Sequence, residues 1–550
     1  MRTSLYAKRK PAAPEEAANG ENSAMIDLTR RLAALASGVL CAIAASLAHA
    51  GGGSAPSTAD IDRLAARTMK EFSVPGLAVG IVKDGRLVLA KGYGTRAQGQ
   101  AGAVDANTLF AIGSNTKAFT SAALAILVDE GKLHWDDRVI DYLPDFRLWD
   151  PYVTREFTIR DLLTHRSGLG TGAGDLMFVT PTDFTRADLL HALRYLKPVS
   201  SFRSRFAYDN LLYVIAGLII PVVSGQSWED FVTARILKPL HMDACAVDDT
   251  RLTDRSNVAA PHLIVNGQLT KIPPLSIPVV APAGAIQCNV TGMLKWVSTQ
   301  LGKGTSPDGF KLFSAAQNVE MWSPQTILPA SGDRLPTTRT HFVTYGLGWM
   351  LEDIDGYERV SHNGGLPGMV THVSMVPELN LGVVVLTNQQ EPAALEAVAM
   401  QIIEAYAGTP KRDWVAISGS NKVKRDGRMK AADAASAPAA AHTETWTPAD
   451  LNAYVGTFKD PWRGEATIAR QGDSLQLTFS HTNALSGPLV PAGLNLFIVH
   501  WKDRSLDADA YVRFSTDYSG KVAGFTMQAV SASTDFSYDF QDLDFSRSLY

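Results

Sequence analysis

The alternation of apolar and polar positions divides the chain into blocks of different period. Ala59 to Met69 places Ile61, Leu64, Ala65 and Met69 at helical spacing. Gly76 to Ala90 reads as two strands around an Asp84-Gly85 turn. Ser121 to Gly131 is an apolar helix closed by glycine, and a second apolar helix opens at Leu211. The stretch from Ser114 to Leu301 is helical and loop-rich. Strand patterns return at Gly346 to Glu352, Met369 to Val376 and Leu381 to Thr387, followed by a helix from Ala393 to Tyr406. Strands at both ends with helices between predict an α/β (α+β) domain over 59–408. One sheet would be assembled from both termini, beside a helical subdomain inserted in sequence.

The pattern then fades. Residues 409–446 are rich in Lys, Arg, Ala, Ser and Pro and read as a linker, partly disordered. From 447 to 550 short strands recur, at Ala466 to Ala469, Leu475 to Phe479, Leu494 to Val499, Tyr511 to Phe514 and Gly524 to Met527. That spacing predicts a small all-β barrel or sandwich.

The N-terminus has a pattern of its own. Arg30-Arg31 precedes the apolar run Leu32 to Leu47, which ends in Ala48-His49-Ala50. This reads as a secretory signal over residues 1–50, with Met25 a candidate start and the mature chain beginning near 51. A single membrane anchor is the competing reading. The signal implies a periplasmic or secreted protein with no stable membrane insertion after cleavage. A net charge of −4 over 550 residues, with no basic stripe, gives no argument for nucleic acid. No zinc spacing, Walker loop or dinucleotide fingerprint occurs, so neither a metal nor a nucleotide cofactor is expected. Cleavage would leave Cys245 and Cys288, and export permits a disulfide between them without requiring it. Oligomeric state has no signal in the sequence.

Candidate chemistry begins at Ser114-Asn115-Thr116-Lys117. Residues i and i+3 share one face of a helix, so the Lys117 amine reaches the Ser114 hydroxyl. Serine is a poor nucleophile until a neighbouring base activates it. At a helix start, Ser114 also meets the positive end of the helix dipole. Two further constellations follow in order. Phe206-Ala207-Tyr208-Asp209-Asn210 leads into the helix at Leu211, and Val360-Ser361-His362-Asn363-Gly364-Gly365-Leu366 stands just before a strand.

S-x-x-K, then Y-x-N, then H-x-G, with flanks such as Thr158 to Leu169, Pro282-Ala283-Gly284 and Tyr345 to Trp349, resembles the penicillin-recognising serine hydrolases. Within them the chain is most similar to the class C β-lactamase-like peptidases and esterases. The resemblance implies a β-lactamase/transpeptidase-like antiparallel sheet and hydrolysis through an acyl-enzyme. Ser114, Lys117, Tyr208 and His362 take the catalytic positions, and Asn210, Gly364 and Gly365 the substrate-binding ones. The oxyanion hole would be the amides of Ser114 and Gly365.

Two routes for the serine proton stay open. Tyr208, assisted by Lys117, could take it, if neighbouring cations lower a phenol pKa that is ordinarily ~10. Lys117 could be the base itself, if burial lowers its own pKa. His362 stands where many members carry lysine, which moves the expected target away from penicillin. Asp209 has no evident role, and His165 reads as structural.

Residues 447–550 resemble the lipocalin-like barrel appended to some peptidases of this family, where it caps or narrows the site. Trp462, Tyr511 and Phe525 are expected in its core. The expected activity is that of an exported serine peptidase acting on small or non-standard peptides. These include D-residue-containing or linearised cyclic peptides such as linear microcystin. A carboxylesterase and a weak β-lactamase are alternatives. The non-enzymatic alternative, a penicillin-binding sensor or scaffold, is opposed by the intact Ser114, Lys117, Tyr208 and His362.

Overall fold

The structure, a computed structural model, describes residues 55–330, 334–409, 411–436 and 448–548. The expected signal over residues 1–50 lies outside them. Eight strands form the main sheet: β1 (Gly76–Lys83), β2 (Arg86–Gly94), β3 (Thr326–Leu328), β4 (Val343–Tyr345), β5 (Met350–Ile354), β6 (Tyr357–Leu366), β7 (Met369–Val376) and β8 (Leu381–Thr387). Their order is β2-β1-β8-β7-β6-β5-β4-β3, and every pairing is antiparallel. β1 pairs directly with β8, Leu77 opposite Thr387, so both ends of the domain do meet in one sheet.

The six longest helices among the described residues are α1 (Thr58–Glu71), α2 (Thr116–Asp129), α3 (Leu211–Ser224), α4 (Val290–Leu301), α5 (Pro392–Ala407) and α6 (Trp414–Ser436). Both faces of the central strands are buried, which is why they read as continuous apolar runs. Leu77, Val79, Ile81, Val383 and Val385 face one core with α1, α5 and the start of α6. Ala78, Val82, Val384 and Leu386 alternate to the other core, against which α4 packs. Among the described residues no single helix is long and apolar enough to cross a membrane.

Two expected elements shift. The strand expected over Gly346 to Glu352 starts only at Met350. Before it, Gly346 N–H donates to Trp349 O at 2.8 Å and Gly348 takes a φ of 85°, which makes a turn. The H-x-G segment lies inside β6, not before a strand. Where composition reads as a linker, residues Trp414–Ser436 form α6. Its first turn buries Trp414 and Val415 in the core shared with α1 and α5. Two buried apolar residues at the start of a polar helix are too few to show a period.

Cys245 and Cys288 are joined by a disulfide. It ties the Cys245 loop to the two-residue strand Gln287–Cys288, which pairs with Phe110–Ala111 just before the Ser114 turn.

The C-terminal region is a closed antiparallel barrel of eight strands in sequence order: β9 (Gly456–Asp460), β10 (Gly464–Gln471), β11 (Ser474–Phe479), β12 (Ser486–Gly493), β13 (Leu496–Val499), β14 (Ala510–Thr516), β15 (Val522–Ala529) and β16 (Asp544–Arg547). Aromatic rings fill the interior. Phe525 stacks on Phe545 at 4.6 Å and meets Phe458 at 5.1 Å. Trp462 and Phe525 are buried, but Tyr511 faces outward beside Arg513, because Val512 takes the inward position between them.

Candidate active site

Ser114 sits in a single 3-10 turn, Gly113–Asn115, that runs straight into α2. Every residue of α2 from Thr116 to Leu127 is buried, as expected for a helix with little polar surface to offer. It packs on α3 and on the turn Ala281–Gly284, and Phe119 stacks on Trp296 at 4.0 Å. Thr120 Oγ1 donates to Pro282 O at 2.6 Å and accepts from Trp228 Nε1 at 3.0 Å. Lys117, second residue of this helix, is therefore carried into the interior, while Ser114 keeps partial access to solvent.

The Lys117 amine has three partners. As an ammonium it donates to Ser114 Oγ at 3.0 Å, Asn210 Oδ1 at 2.6 Å and Ala283 O at 3.0 Å. Burial pulls its pKa down from 10.5 to about 7, against the raising effect of the Asp175 and Asp209 carboxylates. Near neutral pH the amine is thus in part uncharged. A neutral amine has two N–H groups and one lone pair. The two carbonyl oxygens can only accept, so they hold the two N–H groups. The lone pair is left for Ser114, and the third hydrogen bond reverses, with the serine hydroxyl donating.

The Tyr208 ring lies under the amine at 4.7 Å from centroid to Nζ, and Ser114 acts on its phenol. Burial pushes its pKa well above the ordinary phenol value, and the nearby Ser114 opposes this only in part. It is a phenol, not a phenolate. The loop carrying it is held by His165, whose ring lies 4.3 Å from that of Tyr208. His165 O accepts from Ala207 N–H at 2.8 Å, and His165 Nδ1 from Asp209 N–H at 3.1 Å. The proton of His165 is then on Nε2, and the ring is neutral. Asp209, unexplained by sequence, accepts from Leu212 N–H at 3.2 Å at the start of α3. Burial raises its pKa to about 7.

His362 is buried on β6. Its Nδ1 donates to Asn363 O at 2.6 Å, and its Nε2 accepts from Tyr345 O–H at 2.9 Å. Burial and then the Lys117 charge lower its pKa to about 3, so it is a neutral imidazole. Its Nε2 is directed to Tyr345 instead of Tyr208, whose ring centroid is 6.3 Å away. Tyr345 belonged to a flanking motif, but nothing in the sequence shows that it holds His362.

Asn210, expected to orient either Lys117 or a substrate amide, has both ends of its amide engaged by the protein. Oδ1 takes the Lys117 bond, and Nδ2 donates to Asp175 Oδ2 at 2.7 Å. Gly364 and Gly365 also separate in role. The β5 ladder ends at Ser361, leaving 362–366 without a partner strand on that side. The Ser114 turn approaches this segment closely. A Cβ on Gly364 would stand 1.8 Å from Ile112 O, and one on Gly113, whose φ is +53°, 2.5 Å from Gly365 N. A Cβ on Gly365 would meet nothing nearer than 4.0 Å. Gly364 is small so that the turn can touch the strand; Gly365 is small on the open side.

Sequence reasoning missed Asp175 and a barrel segment. Both are fully buried or inserted at the site, yet Asp175 lies in a loop without periodicity. Ser537 Oγ donates to Asp175 Oδ2 at 2.8 Å, and the Phe536 ring meets the edge of Tyr208 at 5.7 Å.

This geometry can be set beside known proteins. A model of the beta-lactamase family matches residues 61–407, more than half of the chain. The chain belongs to the beta-lactamase/transpeptidase-like family of serine hydrolases. A second model, described as a domain of unknown function (DUF3471), matches residues 440–547 and so includes the barrel of this family member. The chain is 31% identical over 349 residues to Unguisins hydrolase ungD' of Aspergillus campestris (strain IBT 28561), covering 60% of this chain and 62% of that relative, just under two thirds of its length. It is 32% identical over 324 residues to Penicillin-binding protein 4 of Amycolatopsis lactamdurans, covering 58% of this chain and 82% of that one. The octameric penicillin-binding protein homologue from Pyrococcus abyssi aligns with 89% of this chain and 100% of its own, at TM-score 0.57 and 21% identity. That is a likeness of fold.

Proposed function

We propose that this serine hydrolase is a peptidase that cleaves small or non-standard peptides through an acyl-enzyme on Ser114. The observation that carries the reading is the placement of the Lys117 amine. Asn210 Oδ1 and Ala283 O hold its two N–H groups, so the free lone pair faces the Ser114 hydroxyl.

In the proposed sequence Ser114 Oγ attacks the substrate carbonyl as its proton passes to Lys117 Nζ. The developing oxyanion is held by the amides of Ser114 and Gly365. The C–N bond then breaks, and the leaving amine takes the phenolic proton of Tyr208, which recovers one from Lys117. Water completes the cycle by the reverse route. His362, neutral and tied to Tyr345, supplies no permanent cation for a substrate carboxylate, which supports a target other than penicillin. A relative named Unguisins hydrolase ungD' supports a hydrolytic activity. The Cys245–Cys288 disulfide supports the exported location included in this proposal.

The test is a side-by-side assay of short L- and D-peptides, p-nitrophenyl esters and a β-lactam, with Ser114→Ala as the control. Turnover of amides above the Ser114→Ala background is expected. Turnover of esters alone would replace the peptidase by an esterase. Tyr208→Phe keeps the ring against Lys117 but removes the proton donor. Amide hydrolysis is expected to fall by about 10²–10³-fold, and hydrolysis of an activated p-nitrophenyl ester by much less, because its leaving group departs unprotonated. Equal losses for both would take Tyr208 out of that role.

A further inference from the structure

Around the barrel-facing side of Lys117 the structure buries three carboxyls. Asp175 lies in the short turn Asp175–Met177, Asp209 precedes α3, and Asp539 comes from the barrel domain. Asp539 clamps the Asp175 turn: its two oxygens accept from Gly174 N–H at 2.7 Å and Leu176 N–H at 2.9 Å. Ser537, two residues earlier, donates to Asp175 Oδ2, and Asn210 Nδ2 donates to the same oxygen. Among the described residues, Asp175 Oδ1 is buried without a partner.

We propose that Asp175 is a positioning residue through which the C-terminal barrel fixes the Lys117 amine against Ser114, by dictating which way round the Asn210 amide stands. An amide side chain can present either end to a neighbour. Asp175 Oδ2 accepts, so Asn210 must turn Nδ2 towards it. Oδ1 is then left for Lys117, where it holds an N–H and keeps the lone pair on the serine side. In the opposite orientation Asn210 Nδ2 would face the amine, competing for the lone pair or repelling the ammonium. The serine–lysine geometry thus depends on a hydroxyl 362 residues from Asp175 along the chain.

The role needs an acceptor oxygen and no charge. A buried carboxylate oxygen without a partner is costly when ionised. Burial, Asp539 and Asp209 all push the Asp175 carboxyl well above its ordinary range, with the bonds from Asn210 and Ser537 opposing. The charged and titratable groups around it include Lys117 from α2, Tyr208 and Asp209 before α3, and Asp539 from the barrel, with Asp542 acting on Asp539 and Asp539 in turn acting on Arg463. Asparagine at 175 would present an oxygen able to accept the same two bonds.

The inference rests on Lys117 acting as the base for Ser114, and the experiment separates the two. Labelling by a fluorophosphonate is followed against pH, with the maximal rate and the half-saturating concentration resolved, on the full chain. Asp175→Ala is expected to lower the maximal rate about 10- to 100-fold and to move the pH midpoint, with half-saturation nearly unchanged. Asp175→Asn should retain the maximal rate, with the midpoint no higher than in the wild type, because Asp175 raises the Lys117 pKa. Ser537→Ala should lower the rate about 2- to 10-fold, the value of one hydrogen bond. Melting temperatures identify any variant that fails to fold; if Asp175→Ala does, Asp175→Asn and Ser537→Ala decide. A folded Asp175→Ala with the wild-type rate and midpoint overturns the proposal, as does Asp175→Asn with a large loss, which would make the charge the essential feature. Ser537→Ala at the wild-type rate removes the barrel from the link. If the unaltered chain is not labelled at Ser114, the serine hydrolase reading fails and this proposal with it.

Discussion

Lys117→Met is expected to lower the rate of Ser114 acylation by about 10⁴-fold or more, the scale seen when a nucleophile loses its only base. Methionine fills much of the same space, so packing around α2 is kept. The pH dependence is the sharper readout. The amine is active once deprotonated, so the wild-type acylation rate rises with pH through a midpoint near 7 and levels off above it. In Lys117→Met that rise disappears. Stability also depends on this amine. The folded pKa of Lys117 lies below its unfolded value of 10.5, so between about 7 and 10.5 the unfolded chain holds the extra proton. Folding stability therefore rises with pH across that window and is lowest below it. Lys117→Met removes this dependence and should melt at a higher temperature than the wild type at neutral pH. A variant that loses activity while gaining stability shows that the site maintains a buried amine at a cost to the fold. Acylation at a near-wild-type rate in Lys117→Met would assign the base elsewhere, with Tyr208 the next candidate.

Gly364→Ala should be nearly as damaging by a different route. The added methyl would stand 1.8 Å from Ile112 O and 2.5 Å from Thr371 Oγ1. Thr371 Oγ1 itself donates to Ile112 O at 2.8 Å, so neither neighbour is a free side-chain end that can swing away. The Ser114 turn and β6 must separate by more than 1 Å to restore ordinary contact. Ser114 then loses its alignment with the strand edge. Acylation is expected to fall about 10²-fold, and stability by about 1–3 kcal/mol, measured by labelling rate and urea midpoint. Gly365→Ala is the control, because its methyl points into open space. Its stability should stay within about 0.5 kcal/mol of the wild type. Equal stability of the two variants would show that the turn and strand have more freedom than these distances allow.

Much of this fold is legible from periodicity because its strands are long and apolar. Met369 to Val376 and Leu381 to Thr387 are read from sequence with the bounds they have in the structure. The barrel strands are less regular. Ser486–Gly493 contains two prolines and two glycines, and Asp544–Arg547 is only four residues long. Such segments are strands because neighbours on both sides pair with them, not by their own propensity. Trp414–Ser436 illustrates the same limit for helices: its polar length has no stripe, and it is anchored by the first turn alone.

The site divides in a similar way. Sequence places Ser114 and Lys117 on one helical face, because reach over three residues is a property of the local backbone. It also orders Tyr208 and His362 behind them. Tertiary structure decided what these groups are chemically. Lys117 meets Asn210 from 93 residues away and Ala283 from 166, and it loses its water to a helix buried on every side. His362 became a neutral imidazole because burial and the Lys117 charge lower its pKa, while Tyr345 and Asn363 hold its two nitrogens. Asp175, silent in the sequence, acquired its place when the barrel brought Ser537 and Asp539 onto it. Spacing along the chain sets which atoms can meet locally. Protonation state and orientation depend on desolvation and on partners that only folding brings together.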